Sequence, residues 1–356
     1  MAITKLAFYK HMGLFSSEKS YLGIDIGSSS IKMVELKKEG KKTSLVNYAF
    51  SEEKKIGKKK NFDSKYISGL IDKIYKEGGF KSSNAIATLP TSAVFSSVIN
   101  LSDVDKNNLD SAVEREAKKV IPTSLEDMTL DWQIIKEDKK GENIKIFLTG
   151  SPKKMIEKYI NIFKNLPLNL LSLETEIFSL IRSLALKEDS VVMVVEMGMF
   201  NTDISVIKKK IPVLNRSVDS GGYAITESIS ENLNISLERA EQFKYDLGVS
   251  SNDSEGEDEA IPEAIIKTLK PVVDEIKYVV NLFENNNEKE IESVILTGGS
   301  SFLPNLTKYI ADNLNKNVML GDPWYNISHL KELEPTLNEV GPRLAVAIGS
   351  AMREIK

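Results

Sequence analysis

Apolar residues follow two periods along this chain, and the places where one gives way to the other mark its elements. Tyr21-Leu22-Gly23-Ile24-Asp25-Ile26-Gly27 is a short apolar run ending on an acid, one residue and a glycine. Three serines follow, Ser28 to Ser30, and Ile31-Lys32-Met33-Val34-Glu35-Leu36 then alternates with the two-residue period of a strand. This pattern predicts a hairpin turning at Gly27 and the serines. A third strand is expected from Ser44 to Phe50. A helix from about Asp63 to Lys76, stopped by Gly78-Gly79, and a strand from Asn84 to Leu89, closed by Pro90, complete the segment.

From Thr91 to Pro167 the order of elements changes. A strand over Val94 to Leu101 leads to a helix capped by Ser102 or Asp103 and running to about Val120. Alternating strands near Met128 to Ile135 and Ile144 to Leu148 come next. Ser151-Pro152 opens a helix to about Asn165, with proline at its first position, where no backbone N–H is needed. The resulting β-α-β-β-α block reads as an insertion in a larger domain.

The second half begins like the first. Val191-Val192-Met193-Val194-Val195-Glu196-Met197-Gly198 is a buried strand ending in acid-x-Gly, followed by polar Asn201-Thr202-Asp203 and a strand to Ile207. An echo about 170 residues after the first instance implies a duplicated α/β domain. Helices are expected over Ala224 to Leu233, Leu237 to Leu247 and Glu263 to Asn285, with the acidic 250–259 stretch as a solvated loop between the last two. Val294-Ile295-Leu296-Thr297-Gly298-Gly299-Ser300 is one more strand feeding a glycine turn, and a helix follows from about Pro304 to Leu314.

Composition narrows the chemistry. The 356 residues carry 47 Lys plus Arg against 51 Asp plus Glu, a net charge of −4 that argues against a dedicated nucleic-acid binder. Cysteine is absent and histidine limited to His11 and His329, which excludes thiolate and histidine-rich metal sites. Chemistry is left to carboxylates, hydroxyls, lysines and backbone amides. No apolar run reaches the ~20 residues that cross a bilayer, and the first nineteen residues lack a signal-peptide core. Those residues read as a disordered leader, with a short amphipathic membrane or partner contact as the alternative. The Lys54–Lys60 run reads as a solvated loop or as an acidic-membrane contact. A cytosolic protein is expected.

Gly and Ser turns expose N–H and hydroxyl donors to a phosphate chain, and carboxylates hold its divalent ion largely through water. Two facing acid-x-Gly hairpins plus the Thr297-Gly298-Gly299-Ser300 turn supply both, without a Walker A spacing. With these motifs the chain resembles the actin–Hsp70–sugar kinase superfamily, in which duplicated domains clamp ATP. Tyr21 to Leu36 and Val191 to Ile207 resemble its two phosphate motifs, and Ile295 to Leu303 its adenosine motif. Within the superfamily the chain is similar to the PilM family of type IV pilus assembly. The signs are Gly23-Ile24-Asp25-Ile26-Gly27-Ser28-Ser29-Ser30-Ile31-Lys32, Val113-Glu114-Arg115-Glu116-Ala117 through Ile121-Pro122 to Asp131-Trp132, Gly221-Gly222 with Thr226-Glu227, and Ala240-Glu241.

The resemblance implies an α/β, actin-like fold of duplicated RNase H-type domains around a nucleotide cleft, with an inserted SHS2-type subdomain. By it, 20–90 and 168–188 with a terminal helix 342–356 form subdomain 1A, and 91–167 form 1C. Residues 189–222 and 288–341 then form 2A, and 223–287 form 2B. It implies ATP and Mg²⁺ as cofactors. Asp25 would organise water around the metal, Glu196 would be its second carboxylate, and Glu176 would position an attacking water, with Glu174 as the rival for that role. Gly27, Ser28, Ser29, Ser30, Gly198, Asn201, Thr202, Gly221, Gly222, Gly298, Gly299 and Ser300 would hold the nucleotide, with Glu241 and Lys244 on the ribose. Lys32 would face either the phosphates or solvent. Glu196 stands where the family carries Asp, and Met197, Met199 and Phe200 replace small residues, so slow or absent turnover is expected.

The implied function is an adaptor at the cytoplasmic face of the inner membrane. It would bind the N-terminal tail of a PilN-like membrane protein between 1A and 1C, alongside other pilus assembly proteins, with self-association left open. Val94 to Leu101 is either the receiving edge or an internal strand. The alternatives are an FtsA-like membrane filament scaffold and a small-molecule kinase. The first would carry an amphipathic tail that this chain lacks after Leu344 to Arg353, and no segment specifies the second's aspartate base and sugar pocket.

Overall fold

A computed structural model describes residues 19–51, 63–102, 108–137, 143–249, 260–286 and 289–355. The leader before Lys19, the lysine run 54–60, the cap at Asp103 and the acidic stretch 250–259 lie outside these residues.

The first hairpin forms as its alternation dictates. β1 (Ser20–Ile26) and β2 (Ile31–Glu39) pair antiparallel, and β3 (Lys42–Phe50) extends the meander. α1 (Ser64–Gly78) starts at Asp63, whose side chain accepts from Lys65 N–H, and ends at Gly79 with φ 69°. β4 (Asn84–Leu89) and β8 (Asn169–Thr175) then add parallel to β1. The second half repeats the plan. β9 (Val191–Met197), β10 (Thr202–Lys208) and β11 (Ile211–Val218) form an antiparallel meander, and β12 (Ser293–Thr297) and β13 (Val318–Leu320) add parallel to β9. The orders β3-β2-β1-β4-β8 and β11-β10-β9-β12-β13 are the same topology twice, and β14 (Ile327–Ser328) borders β3 in the first sheet.

Between β4 and β8 the chain builds a separate sheet of order β5-β7-β6, from β5 (Phe95–Ser102), β6 (Met128–Glu137) and β7 (Asn143–Pro152). Its helix α2 (Leu109–Val120) starts later than the sequence suggested. Ser102, instead of capping a helix, ends β5 paired with Asn143 of β7. α3 (Lys153–Phe163) buries Tyr159, Ile162 and Phe163 beside Ile67, Ile71 and Ile74 of α1, so its apolar face covers the first sheet.

α5 (Gly222–Leu233), α6 (Leu237–Leu247), α7 (Ala260–Asn285) and α8 (Leu306–Leu314) pack on the second sheet. α4 (Glu176–Ser183) and α9 (Glu334–Met352) fill the space between the two halves. Ile177, Leu180, Ala345 and Val346 meet Val192, Val194 and Ile295 in one core, and the other face of α9 packs Leu344, Ala347 and Ile348 on β2 and β3. The duplicated hairpins therefore point into one cleft with the α4 N-terminus beside them.

Candidate functional site

Both hairpin turns are four residues long and closed by the same bond. Gly27 N–H donates to the Ser30 carbonyl at 3.0 Å, and Gly198 N–H to the Asn201 carbonyl at 2.9 Å. They bound two connected chambers of about 280 Å³ and 360 Å³ that share Ser29, Lys32, Gly198 and Met199.

The smaller chamber is acidic. Asp25, Glu176, Glu196, Asp203 and Asp219 line it, with Lys32 as the cation among its lining residues. Lys32 Nζ lies 2.9 Å from Asp25 Oδ2, so it faces the cleft and not bulk solvent. Gly27 makes room for that fold-back, since a Cβ there would stand 2.7 Å from Lys32 Nζ. Glu176, first residue of α4, accepts from Thr91 N–H at 3.0 Å. Asp203 accepts from Asn201 Nδ2 at 2.7 Å. Burial, then repulsion from Asp203 and Asp25, pushes the Glu196 carboxyl up to about 8. Burial, then repulsion from Glu196, holds Glu176 well above the carboxylate range, and burial raises Asp203. Asp25 Oδ1, Glu196 Oε2 and Asp203 Oδ1 are shielded from solvent and accept no hydrogen bond. Orphaned oxygens of this kind suit a hard divalent cation such as Mg²⁺.

The larger chamber is basic and glycine-lined, with Ser30, Gly222, Gly299, Ser300, Lys244 and Arg343 in its wall. Lys244 is buried. Its ammonium donates to Glu241 Oε2 at 2.7 Å, Thr226 Oγ1 at 2.9 Å and the Gly222 carbonyl at 3.2 Å, which uses its three protons. Lys244 thus fixes the first turn of α5 and the carboxylate of Glu241, the more exposed partner. Ser300 Oγ donates to the Gly198 carbonyl at 3.0 Å, locking the second turn. Bare backbone and basic side chains suit a phosphorylated ligand, and a Cβ on Gly222 would collide with Ser300 Oγ.

Most residues expected from the sequence converge here, and three do not. Thr202 is fully buried on the other face of β10 and donates to the Ser220 carbonyl at 2.7 Å. Gly221 and Gly298 lie outside the chamber walls. A Cβ on either would strike backbone of the 197–199 segment, and Gly298 has φ 86°. Of the two rival glutamates, Glu176 lines the chamber. Glu174 is turned away and held by Ser179, Arg182 and Arg353. Sequence reasoning missed Asp203, Asp219, Tyr245 and Arg343 as lining residues.

A third cavity, of about 490 Å³, lies between the inserted sheet and the first half. Trp132, Phe147, Ile156, Leu173 and Phe178 give it an apolar floor, and its charged lining is Arg182, Arg353 and Lys210 together with Glu174 and Asp131.

A family model described as type IV pilus assembly protein PilM matches residues 23–355. The cell division protein FtsA of Enterococcus faecalis is 24% identical over 374 residues, covering 90% of this chain and 84% of that protein. Among solved structures, a PilM–PilN type IV pilus biogenesis complex aligns with TM-score 0.80 and 22% identity over 94% of this chain and 98% of that one. MreB5 of Spiroplasma citri bound to AMPPNP aligns with TM-score 0.55 and 13% identity, over 95% and 96% of the two chains. The fold is therefore actin-like.

Proposed function

This chain belongs to the PilM family of type IV pilus assembly proteins, and from that premise we propose that it is a nucleotide-binding adaptor. ATP would lie across the two chambers. Ser28 to Ser30 and Lys32 would face the phosphates, Gly222, Gly299 and Ser300 would leave room for the nucleoside, and Glu241 would reach the ribose. Mg²⁺ supplies charge neutralisation to the phosphate chain, and Asp25 and Glu196 would hold it largely through water. The observation that carries this reading is the pairing of an acidic chamber with a basic, glycine-walled one at the meeting of duplicated hairpins.

Hydrolysis is expected to be slow or absent. Glu196 adds a methylene where the family keeps Asp, and Met199 and Phe200 fill the second turn. An in-line water needs close positioning, and about 1 Å of displacement lowers rates roughly 100-fold.

The 490 Å³ groove is the proposed seat of the partner. The solved relative is a complex with PilN, and an apolar floor with a charged rim of both signs suits a short extended peptide. We assign it the N-terminal tail of a PilN-like membrane protein, which would hold the adaptor at the cytoplasmic face of the inner membrane. No helix among the described residues is long and apolar enough to cross a membrane.

Calorimetric titration of ATP with Mg²⁺ into the protein and its Asp25→Ala variant tests the clamp. Binding by the wild type that is lost in the variant is expected, and no binding by the wild type would leave a purely structural adaptor. A synthetic PilN tail peptide should bind the wild type and lose about tenfold or more in affinity with Trp132→Ala, since buried aromatics dominate such contacts.

A further inference from the structure

The two hairpins facing the cleft differ at one matched position. On β1 and β2 the paired residues are Asp25 and Lys32, an acid opposite a base. On β9 and β10 the corresponding pair is Glu196 and Asp203, an acid opposite an acid. The turns between them have the same length and the same closing bond, so Asp203 stands where the first hairpin has its lysine. Like charges directly opposite on neighbouring strands destabilise a sheet, and burial sharpens the penalty.

The second hairpin's two acids have no cation of their own opposite them, and the hydrogen bonds to Asp203 come from the neutral side chains of Asn201 and Ser217. Asn201 satisfies Asp203 Oδ2, while Asp203 Oδ1 and Glu196 Oε2 accept no hydrogen bond although shielded from solvent. Asp203 is only 6% exposed. Lys32 is held on Asp25 across the chamber. Glu176 enters from the α4 N-terminus, and one carboxylate oxygen from each of Glu176, Glu196 and Asp203 lies within 4.8 Å of the others. Ligands on opposite sides of one ion are about 4.2 Å apart for Mg²⁺ and about 4.6–5.2 Å for Ca²⁺. Three oxygens at this spacing can share a single ion.

We propose that Glu176, Glu196 and Asp203 bind a divalent cation directly and without nucleotide, as the second hairpin's counterpart of the Lys32 ammonium. The ion is then part of the resting protein. It differs from a metal that arrives with ATP and is held through water, and it neutralises the repulsion built into β9 and β10 before any phosphate enters.

The test uses Mn²⁺, whose free aqueous EPR signal disappears on coordination, titrated into full-length protein stripped of metal and nucleotide. One equivalent should bind in the absence of ATP. Asp203→Asn and Glu176→Gln should each weaken it about tenfold or more, because affinity follows ligand charge. Asp203→Asn should also raise the melting temperature of the metal-free protein while abolishing the rise that Mn²⁺ produces in the wild type, a combination that a merely structural Asp203 would not give. Mn²⁺ binding that requires ATP, or full-strength binding by Asp203→Asn, overturns the proposal. A fluorescent ATP analogue on the same samples separates the two readings. Mn²⁺ bound without any nucleotide affinity keeps this site and removes the clamp, and ATP·Mg²⁺ binding with no uptake of free Mn²⁺ does the reverse.

Discussion

At Gly222 one methyl group decides whether the basic chamber can take a ligand. A Cβ there would overlap Ser300 Oγ and lie 3.4 Å from Lys244 Nζ, so the bond from Ser300 to the Gly198 carbonyl must give way. Gly222→Ala should lower ATP affinity by about tenfold, ~1.4 kcal/mol, as read by calorimetry, while the folded protein persists because Ala is the better residue in a helical first turn. Glu174 offers the opposite case, a buried acid with a structural task. Its carboxylate spans Arg182 and Arg353 and accepts from Ser179 Oγ at 2.6 Å. Glu174→Gln leaves two guanidiniums on a neutral amide and should destabilise by about 2–3 kcal/mol in urea unfolding. That is the low side for a broken buried pair, since both arginines reach solvent. An unchanged midpoint would show that water satisfies them. The repeat itself made Asp25, the serine turn and Glu196 legible in the sequence, whereas Glu176 rested on the family resemblance, with Glu174 as its rival. The sequence reading misassigned Thr202 because hydroxyls were matched to hydroxyls. Strand alternation, applied strictly, turns Thr202 to the core with Ile31 and brings Asp203 to the cleft with Lys32. Arg343 carried a readable signal too, a lone charge beside the buried Leu344–Ala351 stretch.

At the scale of elements, α9 is the piece on which both halves depend. It runs so close to its neighbours that a Cβ on Gly349 would overlap the Ser179 carbonyl of α4, and one on Gly23 of β1 the Ala347 carbonyl of α9. Backbone cannot yield as a side-chain tip can, so Gly349→Ala should cost about 3 kcal/mol or more. Gly69 of α1 makes the control. It is exposed, has nothing within 4 Å of its would-be Cβ, and sits mid-helix. Gly69→Ala should stabilise by about 0.5–1 kcal/mol. Equal effects in thermal melts would refute the packing argument. Elements whose pattern is local were legible. The hairpins, α1 and α6 announce themselves through alternation, an Asp63 or Ser236 cap and a closing glycine. The sequence reading passed over β8, β11 and β13. β8 is half-exposed and gains its place from β4, far away in the chain. β11 opens with Ile211-Pro212 and turns polar at Asn215-Arg216-Ser217 as an edge strand, and β13 has three residues. Non-local pairing makes these strands, and no local window displays it.

At the scale of the molecule, β11 touches everything that a nucleotide-dependent adaptor would need to connect. Ser217, and Asp219 just beyond its end, line the acidic chamber. Asn215, two residues back, donates to Ser96 Oγ of β5 at 2.7 Å, a side-chain bond that joins the second half to the inserted sheet. Lys210, in the turn before β11, lines the 490 Å³ groove together with Arg182 and Arg353 of the first half. A closure that draws the two hairpins onto a ligand must therefore shift Lys210 against the groove's other basic residues. Differential affinity requires such a difference between states. We expect the PilN tail to bind with different affinity in the ATP-bound and nucleotide-free protein, and Asn215→Ala to bring the two affinities within about twofold of each other, a coupling below ~0.4 kcal/mol. The variant should keep its ATP affinity, because Asn215 lies outside both chamber walls. Peptide affinity that is the same with ATP, with ADP and with neither in the wild type would remove the switch and leave the groove and the cleft as independent sites.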